Sequence, residues 1–284
     1  RRPRKYIECM TGAEASRKER NRSIDAYLRS QGFPDPTQFC SDPGSSLKVL
    51  IAIAKRWRYT DDELLGIVAR NPALPMEHLL NLARTRPVDV SENPVFRLRM
   101  ATEPGFLQSL NHIVRRNLAM GRGLDHRLLR ELASARKHEK SVRRAAAMNT
   151  TTPMDMLEGF VRHAWEVRAG LASNPVLPVH LQMKLAQDPR REVRRVVARR
   201  TKVSPEVLRY LGENDTDQRV HLNLVGNAKT PDITLKHLAE HGRLAVRREV
   251  EARMESPKMY LHGPRAVMQL IHQRLEDAND PCSP

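Results

Sequence analysis

Residues Asn174–Arg199 read NPVLPVHLQMKLAQDPRREVRRVVAR, and the fold follows from the fact that the chain repeats them. The segments starting at Asn149, Thr201 and Asn227 follow the same pattern, with gaps of one residue. A proline recurs at Pro153, Pro178, Pro205, Pro231 and Pro257, in steps of 25, 27, 26 and 26. A valine-centred motif recurs at Val142, Val167, Val193, Val220 and Val246, in steps of 25, 26, 27 and 26. Two markers that keep one period identify a structural repeat.

Each unit reads as two short helices. Ser or Thr followed by Pro (Thr152-Pro153, Ser204-Pro205, Thr230-Pro231, Ser256-Pro257) suits an N-cap followed by the first helical position. Behind it, Leu181 and Leu185, Leu208 and Leu211, and Leu235 and Leu238 form one apolar stripe. Asp188-Pro189 and Gly242 mark a turn. Val193 and Val197, Val220 and Leu224, and Val246 and Val250 then form a second stripe. Asn71, Asn149, Asn174 and Asn227 stand four residues before the proline slot, where the left-handed conformation that closes many helices is expected. Helices of about ten residues are unstable alone, so the units must stack and bury one another's stripes. The leucine-rich repeat has a similar period but needs an L-x-x-L-x-L-x-x-N strand, which is absent. Tetratricopeptide and ankyrin periods are longer.

Earlier copies are blurred. Asn71-PALPMEHLLNLA matches the first half of a unit, and Leu128-LRELASARKHEKSVRRAAA matches a whole one with Asp125 in the proline slot. Asn93-PVFRLRMATEPGFLQSL reads as a degenerate unit. The expected organisation is a basic helical N-terminal cap over residues 1–60, repeats over 61–262, and a C-terminal helix and tail over 263–284. Within the cap, helices are expected over Ala15–Ser30 and Leu47–Trp57, with a break at Gly32–Pro36. Thr60-Asp61-Asp62-Glu63 reads as a capping box.

The pattern Asn174-Pro175-x-x-Pro178-x-x-Leu181-x-x-x-Leu185-Ala186-x-Asp188, followed by Val193-Arg194-x-x-Val197-Ala198, resembles the leucine-rich repeat variant family. The resemblance covers roughly two thirds of the chain. It implies an all-α, HEAT-like fold: a right-handed α-solenoid of helix pairs, here of about 26 residues each. Some members carry an N-terminal cysteine cluster for an iron–sulfur centre. Cys9 and Cys40 are isolated here, so that cofactor does not carry over.

The chain has 284 residues, 40% hydrophobic and 29% charged, enough to bury a sizeable core. Its three cysteines, Cys9, Cys40 and Cys282, exclude a disulfide scaffold and fit a reducing, cytoplasmic compartment. No apolar run is long enough to span a membrane. The basic start, Arg1 to Lys5, lacks the apolar stretch of a signal peptide. The chain opens on Arg1 rather than Met, so an upstream segment is expected. The net charge is +16. It divides as +7 over residues 1–60, +3 over 61–140, +7 over 141–250 and −1 over 251–284. That excess favours polyanionic partners.

The arginines behind the valine marker are the candidate site: Arg143 and Arg144, Arg168, Arg194 and Arg195, and Arg247 and Arg248. His221 replaces them in the fourth copy, with Arg219 one place early. The inner members flank the apolar stripe and are expected to pair with Asp188, Asp215 or Asp217, or to cap carbonyls. The outer Arg144, Arg195 and Arg248 are expected to be wetter. Arg115, Arg116, Arg199 and Arg200 add charge at helix ends, and Lys55, Arg56 and Arg58 surround Trp57. Stacking aligns equivalent positions, so the expectation is a non-catalytic protein that binds nucleic acid or another polyanion along a cationic track. The alternative is a scaffold for an acidic protein partner. A helical-repeat DNA glycosylase ranks last. It needs an aromatic wall and a carboxylate, and Trp165-Glu166 is the nearest approach. His237 and His241 share no third ligand, so no metal is expected. No Walker loop, GxGxxG, GxSxG or HExxH motif occurs, and no cofactor is expected.

Overall fold

The computed structural model describes residues 28–29, 35–55, 62–134 and 139–255. Among them every regular element is an α-helix, eighteen in all, and there is no strand. The chain divides into two compact units, Arg1–Val142 and Arg143–Pro284.

The first unit holds α1 (Pro36–Ser41), α2 (Leu47–Lys55), α3 (Asp62–Arg70), α4 (Met76–Leu82), α5 (Pro87–Glu92), α6 (Pro94–Thr102), α7 (Phe106–Ser109), α8 (His112–Ala119) and α9 (His126–Ala133). Helices α1, α3, α5 and α8 pack in succession, and α2 packs on α4. Helix α2 lies within the helix expected over Leu47–Trp57. Helix α1 lies just past the expected break, because Asp35 accepts from the Thr37 amide and Pro36 supplies the first helical residue. The degenerate segment forms α6 and α7 between α5 and α8, and α7 packs on α9. Apart from Leu28 and Arg29, the Ala15–Ser30 helix lies outside the described residues. So do the first half of the capping box and Ser256-Pro257.

Helix α10 (Lys140–Met148) spans the division. The second unit continues with α11 (Met154–Phe160), α12 (Trp165–Ala172), α13 (Val179–Ala186), α14 (Arg191–Ala198), α15 (Pro205–Asn214), α16 (Gln218–Val225), α17 (Asp232–His241) and α18 (Leu244–Glu255). Its packing is regular. The second helices α12, α14, α16 and α18 stack in order, as do the first helices α13, α15 and α17. The stripe residues Leu181, Leu185, Val193, Val197, Leu208, Leu211, Val220, Leu224, Leu235, Leu238, Val246 and Val250 are all buried between the two rows. Each fully buried side chain of this kind contributes about 1.5–3 kcal/mol. The approach is closest at Gly170. A Cβ there would sit 2.6 Å from Arg144 Cγ and 2.8 Å from the Arg144 carbonyl oxygen.

The recurring asparagines act differently from the expectation. No described residue other than Gly105 and Gly123 has a positive φ, so the asparagines are not left-handed helix terminators. They clamp neighbouring helix pairs together. Asn174 Nδ2 donates to the Ala147 and Asn149 carbonyls at 2.9 and 2.8 Å. Asn227 Nδ2 donates to those of Ala198 and Arg200, both at 2.7 Å. Arg200 and Arg253 fill the same slot and reach the same carbonyls one unit back: Ala172 and Asn174 for Arg200, Val225 and Asn227 for Arg253. In the first unit, Asn71 holds Cys40 and Asp42, and Asn93 holds Ala69 and Asn71. The Ser/Thr-Pro pairs meet the expectation in part: Ser204 is the N-cap of α15 and Pro205 its first helical residue. Pro153 and Pro231 themselves occupy the cap position, and no side chain caps these helices or α15. The Thr152 and Thr230 hydroxyls donate back to the Ala146 and Leu224 carbonyls, both at 2.6 Å, closing the turn.

Candidate nucleic-acid interface

The inner arginines form a continuous polar chain along the second unit. Arg168 on α12 donates through Nη1 to the His163 carbonyl at 2.7 Å. Its Nε and Nη2 bind the Asp188 carboxylate at 2.5 and 2.9 Å. Arg194 on α14 repeats the arrangement, with Nη1 on the Asp188 carbonyl at 2.9 Å and Nε and Nη2 on Asp215 at 2.7 and 3.0 Å. His221 on α16 ends the chain, its Nε2 2.8 Å from the Asp215 carbonyl oxygen. Hydrogen bonds to the carboxylates raise the pKa of Arg168 and Arg194, while burial lowers that of His221. Asp188 and Asp215 each also accept a backbone amide two residues on, so the turn presents its carboxylate in fixed orientation. These arginines fix the stacking register, as expected of the inner set.

Arg195 departs from the expectation that the outer arginines stay wet. Its Nε and Nη2 bind Asp217 at 2.9 and 2.7 Å, a fork-on-carboxylate pair. Asp217 also accepts from the Val220 amide, capping α16. The hydrogen bond from Arg195 holds the Asp217 carboxyl below its ordinary pKa. Arg144 and Arg248 are exposed, as expected, and so is Arg247. Arg143 is half-buried, and its charge, second to burial, lowers the pKa of His163.

Arg200 is not a helix-end surface charge. It is buried, with carbonyl oxygens of Ala172, Asn174 and Lys202 around its guanidinium. Burial brings its pKa down to about 10, so it remains a cation at neutral pH. In the first unit, Arg115 is also buried. It pairs with Glu139 and donates to the Leu110 carbonyl, which removes it from any surface track. Arg116 and Lys55 are exposed there. Arg56 and Arg58 lie outside the described residues.

The second unit also presents a concave basic surface. A groove of about 870 Å³ runs between α14 and α16 up to the start of α18. Arg191, Arg194, Arg195, Arg199, Arg219 and Arg243 line it, against the carboxylates of Glu192 and Asp217. Arg199, Arg219 and Arg243 are exposed and form no ion pair among the described residues. Arg191, Arg195 and Arg199 lie four residues apart along α14, a single helical row. The candidate set read from the sequence contained Arg194, Arg195 and Arg199 but not Arg191, Arg219 or Arg243. The four-residue spacing on α14 was the signal that marked Arg191. Leu222 and Asn223 form the floor, and the Asn223 amide donates to the Arg195 carbonyl at 3.2 Å.

Trp165 opens α12 and is 37% exposed, so it is not a core residue. The His237 and His241 rings stack on each other at 4.5 Å. Among the described residues no helix is long and apolar enough to cross a membrane. Comparison with protein-family models, with curated proteins and with solved structures yields no match for this chain.

Proposed function

We propose that the protein is a non-catalytic recognition module that binds nucleic acid through the arginine groove of its second unit. The reading takes the stacked helix pairs as a segment of right-handed α-solenoid of about 26 residues per pair, similar to the leucine-rich repeat variant. It takes the protein to work in the cytoplasm. The observation that carries it is the placement of Arg199, Arg219 and Arg243. They project into one concave surface, while neighbouring arginines are committed to Asp188, Asp215 and Asp217. Exposed guanidinium groups spaced along a groove contact successive phosphates and release counterions, without reading sequence.

The test is fluorescence anisotropy with a labelled oligonucleotide across a salt series. Affinity is expected to fall steeply with salt and to vary little with sequence. The Arg199→Ala, Arg219→Ala, Arg243→Ala variant is expected to stay folded and to lose about two to three units of the logarithmic salt slope. An unchanged slope in that variant removes the groove from the proposal. Preference for polyglutamate over an oligonucleotide of equal charge replaces nucleic acid with an acidic protein partner.

A further inference from the structure

We propose that the groove takes single-stranded rather than duplex nucleic acid, and that Trp165 is the platform on which one base stacks. This rests on the groove being a nucleic-acid site. Trp165, Arg191, Gln218 and Leu244 are each the first residue of a second helix, in steps of 26, 27 and 26. Helices α12 and α14 pack together, and the Arg200 clamp onto Ala172 and Asn174 fixes their register. Trp165 therefore stands one helix row from Arg191, about 8–10 Å between axes, on the row before the groove that Arg191 and Gln218 line.

The indole is part-exposed and has no aromatic or cationic partner among the described residues. Phe160, nearby on α11, is buried. Arg99 lies 4.7 Å over the Phe106 ring in the first unit. Among the described residues, by contrast, no ring stacks on Trp165 and no guanidinium covers it. With 37% of its surface exposed, Trp165 keeps ring face free for a base to stack on. A phosphate held at Arg191 carries its base across one row to that ring. Only an unpaired base offers its face for stacking, whereas a duplex presents a continuous phosphate surface. Aromatic stacking also tolerates any base, consistent with recognition that ignores sequence.

The experiment compares three probes of equal length on the full chain: oligothymidylate, its duplex with oligoadenylate, and an abasic deoxyribose-phosphate strand. Oligothymidylate is expected to bind about tenfold tighter than the abasic strand, the size of one base–aromatic stack. Trp165→Ala is expected to abolish that difference without altering abasic binding, and Trp165→Phe to retain most of it. The Arg199→Ala, Arg219→Ala, Arg243→Ala variant is expected to weaken both strands alike. Equal affinity for oligothymidylate and the abasic strand, tighter binding of the duplex, or an unaffected Trp165→Ala variant overturns the stacking role and leaves the groove reading standing. Failure of all three probes to bind at low salt overturns both.

Discussion

Asp217 shows at the residue scale how one side chain sets the groove's charge. It neutralises Arg195 and caps α16 at once. Asp217→Asn keeps the capping oxygen but removes the charge. It is expected to release Arg195 into the groove, raise oligonucleotide affinity and steepen the salt slope by about one unit. It is also expected to cost about 1 kcal/mol of stability in a denaturant titration. The pH dependence follows from the lowered Asp217 pKa. The stabilisation is complete above the unfolded carboxyl's pKa of about 3.9 and is lost as pH falls through the lower folded value. The stability gap between wild type and Asp217→Asn is therefore expected to close in acid. His221 acts in a higher window. Its folded pKa lies below the unfolded value of about 6.5, so the unfolded chain takes up the proton first. Stability is expected to fall as pH drops below about 6.5, and His221→Gln to flatten that slope. The sequence marked Arg194 as a pairing residue and Arg195 as a wet one from the 100° step between them. It marked Asp215 and Asp217 as turn carboxylates for the inner arginines, but gave no sign that Asp217 would engage the outer Arg195.

The stability of each helix pair depends on the side-chain clamps between units as much as on the stripes. Asn174→Asp preserves shape but points a carboxylate at the Ala147 and Asn149 carbonyls. It is expected to destabilise by about 3 kcal/mol, read as a shift in denaturation midpoint. Gly170→Ala is expected to be destabilising as well, because the backbone of Arg144 cannot yield as a flexible side chain can. The paired stripes were legible because i, i+4 spacing alone sets which face is buried. The clamps were not. An asparagine after a short helix reads locally as a helix stop, and its actual partner lies a full unit earlier in the chain. Arg200 was harder still, since a cation in an arginine-rich run gives no local sign that carbonyl oxygens will surround it.

On the scale of the molecule, the net charge of +16 pointed to a polyanion but could not locate it. Several of the candidate cations are structural. Arg115, Arg168, Arg194, Arg195 and Arg200 are taken up by carboxylates or carbonyls. Of the exposed arginines of the second unit, Arg199, Arg219 and Arg243 share one groove, and Arg144, Arg247 and Arg248 lie outside its lining. Register, which appears only once the helices are stacked, separates the two classes. Hydrogen–deuterium exchange of the full chain, with and without saturating oligothymidylate, tests the account most directly. It predicts added protection concentrated over residues 191–199 and 216–223 and at Arg243. Protection confined to the first unit, or to the first helices of the second unit, would contradict it.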